Sequence, residues 1–256
     1  MSFTTLSKEQ NAVVNSIYDW FKQSSKQYIT LGGFAGTGKT TVLSSLSTIL
    51  NKGKKKINIA YCSYTGKATR VLERKLRDSN SISYSDYIGT IHRLIYKAIV
   101  DPQDNIIGWE LIPKSDFNYS LIVVDEASMI TEDIWNDLLS FDVPIVAVGD
   151  HGQLPPIEGS FNLMSNPQLR LETIYRQEEN NPIIKISEMV RKGEPIPYMQ
   201  FGKNIKKMDK RSENTVDELL DLFNAFDDST MVLCGYNTTR NRLNKQIRGL
   251  QFDSQI

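Results

Sequence analysis

The run "GGFAGTGKTT", Gly32 to Thr41, constrains this 256-residue chain more than any other stretch. It follows a β-type run, Tyr28–Leu31, and precedes a stretch expected to be helical from about residue 40 to 50. Glycines let a backbone turn tightly and aim successive N–H groups inward, which makes a cradle for an anion. The following helix adds the positive end of its dipole. The spacing Gly33-x-x-x-x-Gly38-Lys39-Thr40 is that of a phosphate-binding loop, and it has the strand and helix around it that such a loop requires. Gly33, Ala35, Gly36, Thr37, Gly38, Lys39, Thr40 and Thr41 are therefore expected to wrap the phosphates of a nucleotide. Lys39 would reach the β- and γ-phosphates, and the Thr40 hydroxyl would coordinate Mg²⁺.

A phosphate loop needs a sheet to carry it, and the rest of the chain reads that way. Ser7 to about Gln23 is amphipathic, with Val13, Val14, Ile17, Trp20 and Phe21 on or near one face. Strand-like runs lie at Tyr28–Leu31, Ile57–Cys62, Leu121–Val124, Ile145–Val148 and Met231–Cys234. Helix-like stretches lie near Lys67–Arg77, Glu132–Leu139, Ile183–Arg191, Val216–Phe226 and Thr239–Ile247. This alternation predicts an α/β fold, a parallel sheet covered by helices with its sites at the carboxyl ends of strands. Residues 96–118 break the pattern with turn residues and short apolar pieces, as a small β insertion would. A domain boundary is expected around 178–182, giving domains 1–178 and 179–256.

The second chemical site is "LIVVDEASM", Leu121 to Met129. Four apolar residues followed by two acids describe a buried strand that delivers carboxylates at its tip. Alone, such a pair can equally open a solvated loop. Beside a phosphate loop, Asp125 is expected to hold Mg²⁺ and Glu126 to take a proton from a water attacking the γ-phosphorus.

Bulk properties exclude little. The chain is 40% hydrophobic and 23% charged, typical of a globular protein, with no apolar run as long as a membrane span. The first residues lack a signal peptide's apolar core, and Cys62 and Cys234 are far apart, so a reduced, cytoplasmic setting is expected. The 30 basic and 30 acidic residues are unevenly placed. Residues 1–100 carry 15 Lys/Arg against 5 Asp/Glu, and residues 101–256 carry 15 against 25. A basic first part is compatible with a polyanionic partner. The run Lys52–Lys56 reads as a solvated turn.

The order of motifs resembles superfamily 1 helicases of the RecD/Dda type. It comprises Gln10, the phosphate loop, "SYTGKA", "TIHRL", "VVDEASM", "VGDHGQLPPI" and "LETIYRQ", over roughly residues 5–250. The resemblance implies a RecA-like ATPase motor that runs 5′ to 3′ on single-stranded DNA, using Mg²⁺ with ATP. It implies that Gln10 reads adenine, although Ser7 to Gln10 also forms a helix capping box. It further implies that Gln153 senses the γ-phosphate and that Arg176 acts as an arginine finger. Implied DNA contacts are Thr65, Gly66 and Lys67, then Thr90, His92 and Arg93, and Asn237 in the segment that opens a second motor domain. Tyr64 stands where the family commonly has proline, and there an aromatic ring can stack on a base.

The family's later motifs, one resembling "H-K-x-Q-G" and a final one with another arginine, do not occur before Ile256. The expectation is accordingly a truncated second domain, with ATP binding but little unwinding by this chain. Two other classes stay open on the sequence: a phosphate-loop ATPase acting as a switch or loader, and a non-catalytic nucleic-acid-binding fragment.

Overall fold

A computed structural model describes residues 6–251 apart from 24–25, 53–56, 154–155, 157–159, 174–180, 225–226 and 228–229. The chain divides into two compact units, residues 1–177 and 178–256.

The first unit opens with α1 (Lys8–Gln23), which buries Val13, Val14 and Ile17 on one stripe. Then come β1 (Tyr28–Gly33), α2 (Lys39–Asn51), β2 (Ile59–Ser63), α3 (Gly66–Asp78) and β3 (Tyr87–Thr90). A short α4 (Ile91–Ile95) leads into an antiparallel hairpin of β4 (Tyr96–Val100) and β5 (Ile106–Leu111). The unit closes with β6 (Leu121–Asp125), α5 (Glu132–Leu139), β7 (Ile145–Gly149) and β8 (Leu169–Leu171).

Six of these strands form one parallel sheet in the order β3-β2-β6-β7-β1-β8. The apolar runs are continuous because both faces of the sheet are covered. Ile59, Tyr61, Leu121, Val123, Val146 and Val148 pack with Val42, Leu43 and Leu46 of α2 and Leu72 and Leu76 of α3. The alternate residues Ala60, Cys62, Ile122, Val124, Ile145 and Ala147 pack with Ile91 and Ile95 of α4 and Ile134, Trp135 and Leu138 of α5. The strand order reverses across β1, and the carboxyl ends of β1, β6 and β7 meet at that point, where open α/β sheets carry their sites.

The second unit contains α6 (Pro182–Arg191), a two-stranded pair β9 (Gln200–Phe201) and β10 (Ile205–Lys206), α7 (Glu213–Asn224) and α8 (Asn237–Gln251). The strand expected at Met231–Cys234 does not form. Met231 and Leu233 are 69% and 86% exposed. A short apolar strand is stable only against neighbours that supply hydrogen bonds and a buried face, and no described strand pairs with this run.

Candidate nucleotide site and nucleic-acid edge

The loop between β1 and α2 owes its shape to two left-handed residues. Gly36 and Gly38 have φ of 87° and 88°, a region that side chains strongly disfavour, and Gly38 is the residue that caps α2. A Cβ on Gly38 would also lie 2.3 Å from the Gln10 amide nitrogen. Thr37 is fully buried and donates from Oγ1 to the Phe34 carbonyl, which closes the loop on itself. Lys39 Nζ donates to the carbonyls of Gly33 (2.6 Å) and Phe34 (3.2 Å), so its ammonium lies over the cradle. Thr40 and Thr41 follow in the first turn of α2.

Gln10 reaches this loop from α1. Its backbone N–H donates to the Ser7 hydroxyl oxygen and its Oε1 accepts from Ser7 N–H, a complete capping box. Its Nε2 donates to the Thr37 carbonyl at 3.1 Å. An amide has a second donor hydrogen and a second lone pair, so capacity for one further pair of bonds remains.

At the tip of β6, Asp125 Oδ1 accepts from the Glu126 N–H at 3.0 Å. Glu126 has φ 55°, a strained conformation for a residue with a side chain. Gln153 Nε2 donates to Glu126 Oε2 at 3.3 Å, and Ser128 Oγ donates to Gln153 Oε1 at 3.0 Å. The loop after β7 is shaped by the buried Asp150, which accepts from Gly152 N–H. Asp125 titrates near 6 rather than at its ordinary 3.8, first because burial penalises its charge and next because Glu126 adds a like charge. Lys39 and Lys75 oppose that rise. Burial holds His151 below its ordinary value, its ring packs on Phe34 at 4.3 Å, and its buried Nδ1 has no hydrogen-bond partner among the described residues.

The donors present suit a hard divalent cation such as Mg²⁺. The Thr40 hydroxyl and the Asp125 carboxylate are oxygen donors. Ser63 pairs in register with Asp125 at the ends of β2 and β6, on the sheet face continued from Tyr61 and Val123. Its buried Oγ has no hydrogen-bond partner among the described residues, as a hydroxyl awaiting a hydrated ion would. Among those residues no group of three or more His, Cys, Asp or Glu gathers, whereas Mg²⁺ is commonly held by one or two carboxylates with phosphates and water.

Two signals were missed on the sequence. Lys75 of α3 donates to Thr40 Oγ1 at 3.2 Å, a contact across 35 residues. Glu9 accepts from the N–H groups of Glu172 (2.7 Å) and Thr173 (3.4 Å), tying α1 to the strand that leads toward Arg176. Arg176 itself lies outside the described residues, as do Lys54–Lys56 and Pro155.

The candidate DNA residues sit on neighbouring strand ends, since Ser63 pairs with Thr90 across β2 and β3. The hydroxyls of Thr65 and Thr90 are committed as helix caps, accepting from Ala68 and Arg93 N–H. Gly66, Lys67 and Arg93 are exposed. The His92 ring lies 5.9 Å from Tyr64 and 5.7 Å from Tyr96, giving a row of three rings. Asn237 begins α8 in the second unit and is exposed.

A parallel sheet in this strand order, with a phosphate loop after its first strand and an acid pair at the tip of β6, defines a RecA-like P-loop NTPase fold. A family model described as an AAA domain matches residues 5–213, and the chain belongs to that family, with the RecD/Dda-type helicases of superfamily 1 among its relatives. It is 29% identical over 196 residues to the ATP-dependent RecD2 DNA helicase of Deinococcus radiodurans, covering 74% of this chain and 24% of the relative. It is 26% identical to the ATP-dependent DNA helicase dda of phage T4 over 204 residues, 75% of this chain and 44% of the relative. An uncharacterised protein, R530, of Acanthamoeba polyphaga mimivirus is 29% identical over 163 residues, 58% of this chain and 33% of that protein. The chain thus spans a third or less of the mimivirus and Deinococcus proteins. The fold is similar to that of Pif1 helicase from Bacteroides solved with ADP-AlF3 and single-stranded DNA, at 19% identity and a TM-score of 0.53, covering 97% of this chain and 58% of that one. Among the described residues, no helix is long and apolar enough to cross a membrane.

Proposed function

We propose that this chain is an ATP-driven motor of a DNA helicase, binding Mg²⁺ with ATP and coupling hydrolysis to 5′-to-3′ movement on single-stranded DNA. The observation that carries the reading is the hydrogen bond from Gln153 to Glu126 beside the phosphate loop. It supports reading Gln153 as a γ-phosphate sensor in contact with Glu126, the group assigned the proton of the attacking water.

The steps assigned to this chain's residues follow from that placement. The loop N–H groups hold the phosphate chain, and Lys39 exchanges the Gly33 and Phe34 carbonyls for the β- and γ-phosphate oxygens. Gln10 completes the adenine pocket with its remaining amide valences. Mg²⁺, when bound between Thr40 and Asp125, supplies charge neutralisation for the β- and γ-oxygens. A water attacks the γ-phosphorus, its proton passes to a Glu126 carboxylate oxygen, and the bond to the ADP oxygen breaks. Arg176 is assigned the charge that grows on the transferred group. Gln153 then loses its phosphate partner and carries that change toward the strand ends where Lys67 and Arg93 are assigned DNA phosphates; Asn237, in the second unit, is assigned a DNA contact of its own. In this reading residues 1–178 are one motor domain and residues 179–256 the beginning of a second.

The test is ATP turnover with and without single-stranded DNA. Turnover that rises with DNA in the wild type, and vanishes in Glu126→Gln while ATP is still bound, is the expected result. Turnover indifferent to DNA would move the assignment to a switch or loader, and DNA binding without any turnover would reduce the chain to a binding module.

A further inference from the structure

We propose that Lys75 is a competing cation at the Mg²⁺ place, so that Mg²⁺ enters by displacing its ammonium from the Thr40 hydroxyl. The inference rests on the nucleotide-site reading above and adds a residue that the phosphate-loop motif does not contain.

The geometry is specific. Lys75 lies in the last turn of α3, between Leu72 and Leu76, both buried against the sheet. That packing turns the side chain toward the start of α2, where Nζ donates to Thr40 Oγ1 at 3.2 Å. The ammonium therefore occupies the hydroxyl assigned to the metal. A Mg²⁺ ion coordinated at about 2.1 Å by that hydroxyl would stand within roughly 5 Å of the ammonium whatever the angle. Two cations so close in a partly buried site repel each other, and only the divalent one also binds the nucleotide phosphates. Ser63, with its buried unpartnered hydroxyl on the same sheet face, offers the incoming hydrated ion a third oxygen that the ammonium does not use.

Ion exchange of this kind makes the site demand more Mg²⁺ than its oxygens alone would. The experiment is binding of a fluorescent ADP to the whole chain over a series of buffered free Mg²⁺ concentrations. Lys75→Met, which keeps the stem and removes the charge, should lower the Mg²⁺ midpoint by about tenfold or more, the weight of one charged hydrogen bond no longer broken on entry. Lys75→Arg should leave the midpoint at or above the wild-type value. Arg74→Met, one residue away and exposed, is the control and should not move it.

Melting temperatures give a second readout. Lys75→Met should melt below wild type in chelator and level with it in Mg²⁺ and ADP. An unchanged or raised midpoint in Lys75→Met, or a melting deficit equal in both conditions, would overturn the inference and leave the nucleotide site standing. Wild-type protein that binds ADP equally with and without Mg²⁺, or binds none, would overturn the inference together with the nucleotide-site reading.

Discussion

Glu126 is left-handed at φ 55°, directly after a regular parallel strand, and Asp125 beside it is a carboxyl that burial holds near pH 6. Both are costs to folding. The titration has a measurable consequence. A carboxyl whose folded value lies above its unfolded 3.8 makes the folded state bind more protons between that value and about 6. Stability therefore falls as pH rises through that window and stays lower above it. Asp125→Asn is neutral at every pH, and its amide oxygen can still accept from Glu126 N–H, as Asp125 Oδ1 does at 3.0 Å. In chelator near pH 7.5, this variant should be more stable than wild type by roughly 1–3 kcal/mol, and the gap should close below about pH 4. Chemical unfolding across that pH range checks the sign. A variant less stable than wild type at neutral pH would show that the Asp125 charge is compensated in the fold.

At the scale of elements, the site's strands were legible because parallel strands covered on both faces are written as unbroken apolar runs. β1, β2, β6 and β7 follow the runs at Tyr28, Ile57, Leu121 and Ile145 to within a few residues. The hairpin β4–β5 falls inside the expected insertion at 96–118. Two edge strands left no such trace. β3 reads "YIGT" with every residue half-buried, and β8 has three residues. Its neighbour Gln168 is held by side-chain bonds to Thr30, 138 residues away. Lys75 to Thr40 and Glu9 to Glu172 were invisible for the same reason: no local period encodes a contact between distant segments. The opposite error, a strand read at Met231–Cys234, came from trusting a short apolar run without a partner.

Element geometry also carries the DNA prediction. Lys67 in the first turn of α3 and Arg93 in α4 stand on adjacent strand ends, while the Thr65 and Thr90 hydroxyls are occupied as caps. The two cations bring full charges to phosphates, while each threonine, accepting in its cap, keeps its O–H to donate. Lys67→Ala or Arg93→Ala should weaken single-strand binding alike for different base compositions and flatten the log–log salt dependence by roughly 0.7 each. Titrations over a salt series measure the slope, and a change confined to one base composition would instead mean a base contact.

For the whole molecule, the described apolar core is concentrated in the first unit. Every residue of both core clusters lies within residues 13–171. In the second unit Phe201 is the one large apolar side chain buried among the described residues, at 9% exposure, while Ile183, Val190, Met231 and Leu233 are more than half exposed. Local stability follows the density of buried apolar contacts, so the two units should open at very different free energies. Limited proteolysis of the intact chain should cut first within residues 178–256 and leave a product close to residues 1–177. That product contains the phosphate loop, Asp125, Glu126 and Gln153, and it should keep Mg²⁺-dependent ADP binding. Turnover stimulated by DNA should be lost, because the proposed motor needs more than one domain to link hydrolysis to movement. Mass spectrometry of the early fragments, followed by ADP binding to the resistant one, decides the matter. Early cuts inside the parallel sheet, with residues 178–256 surviving, would show that the second unit is the more stable body and that exposure has been misread as weakness.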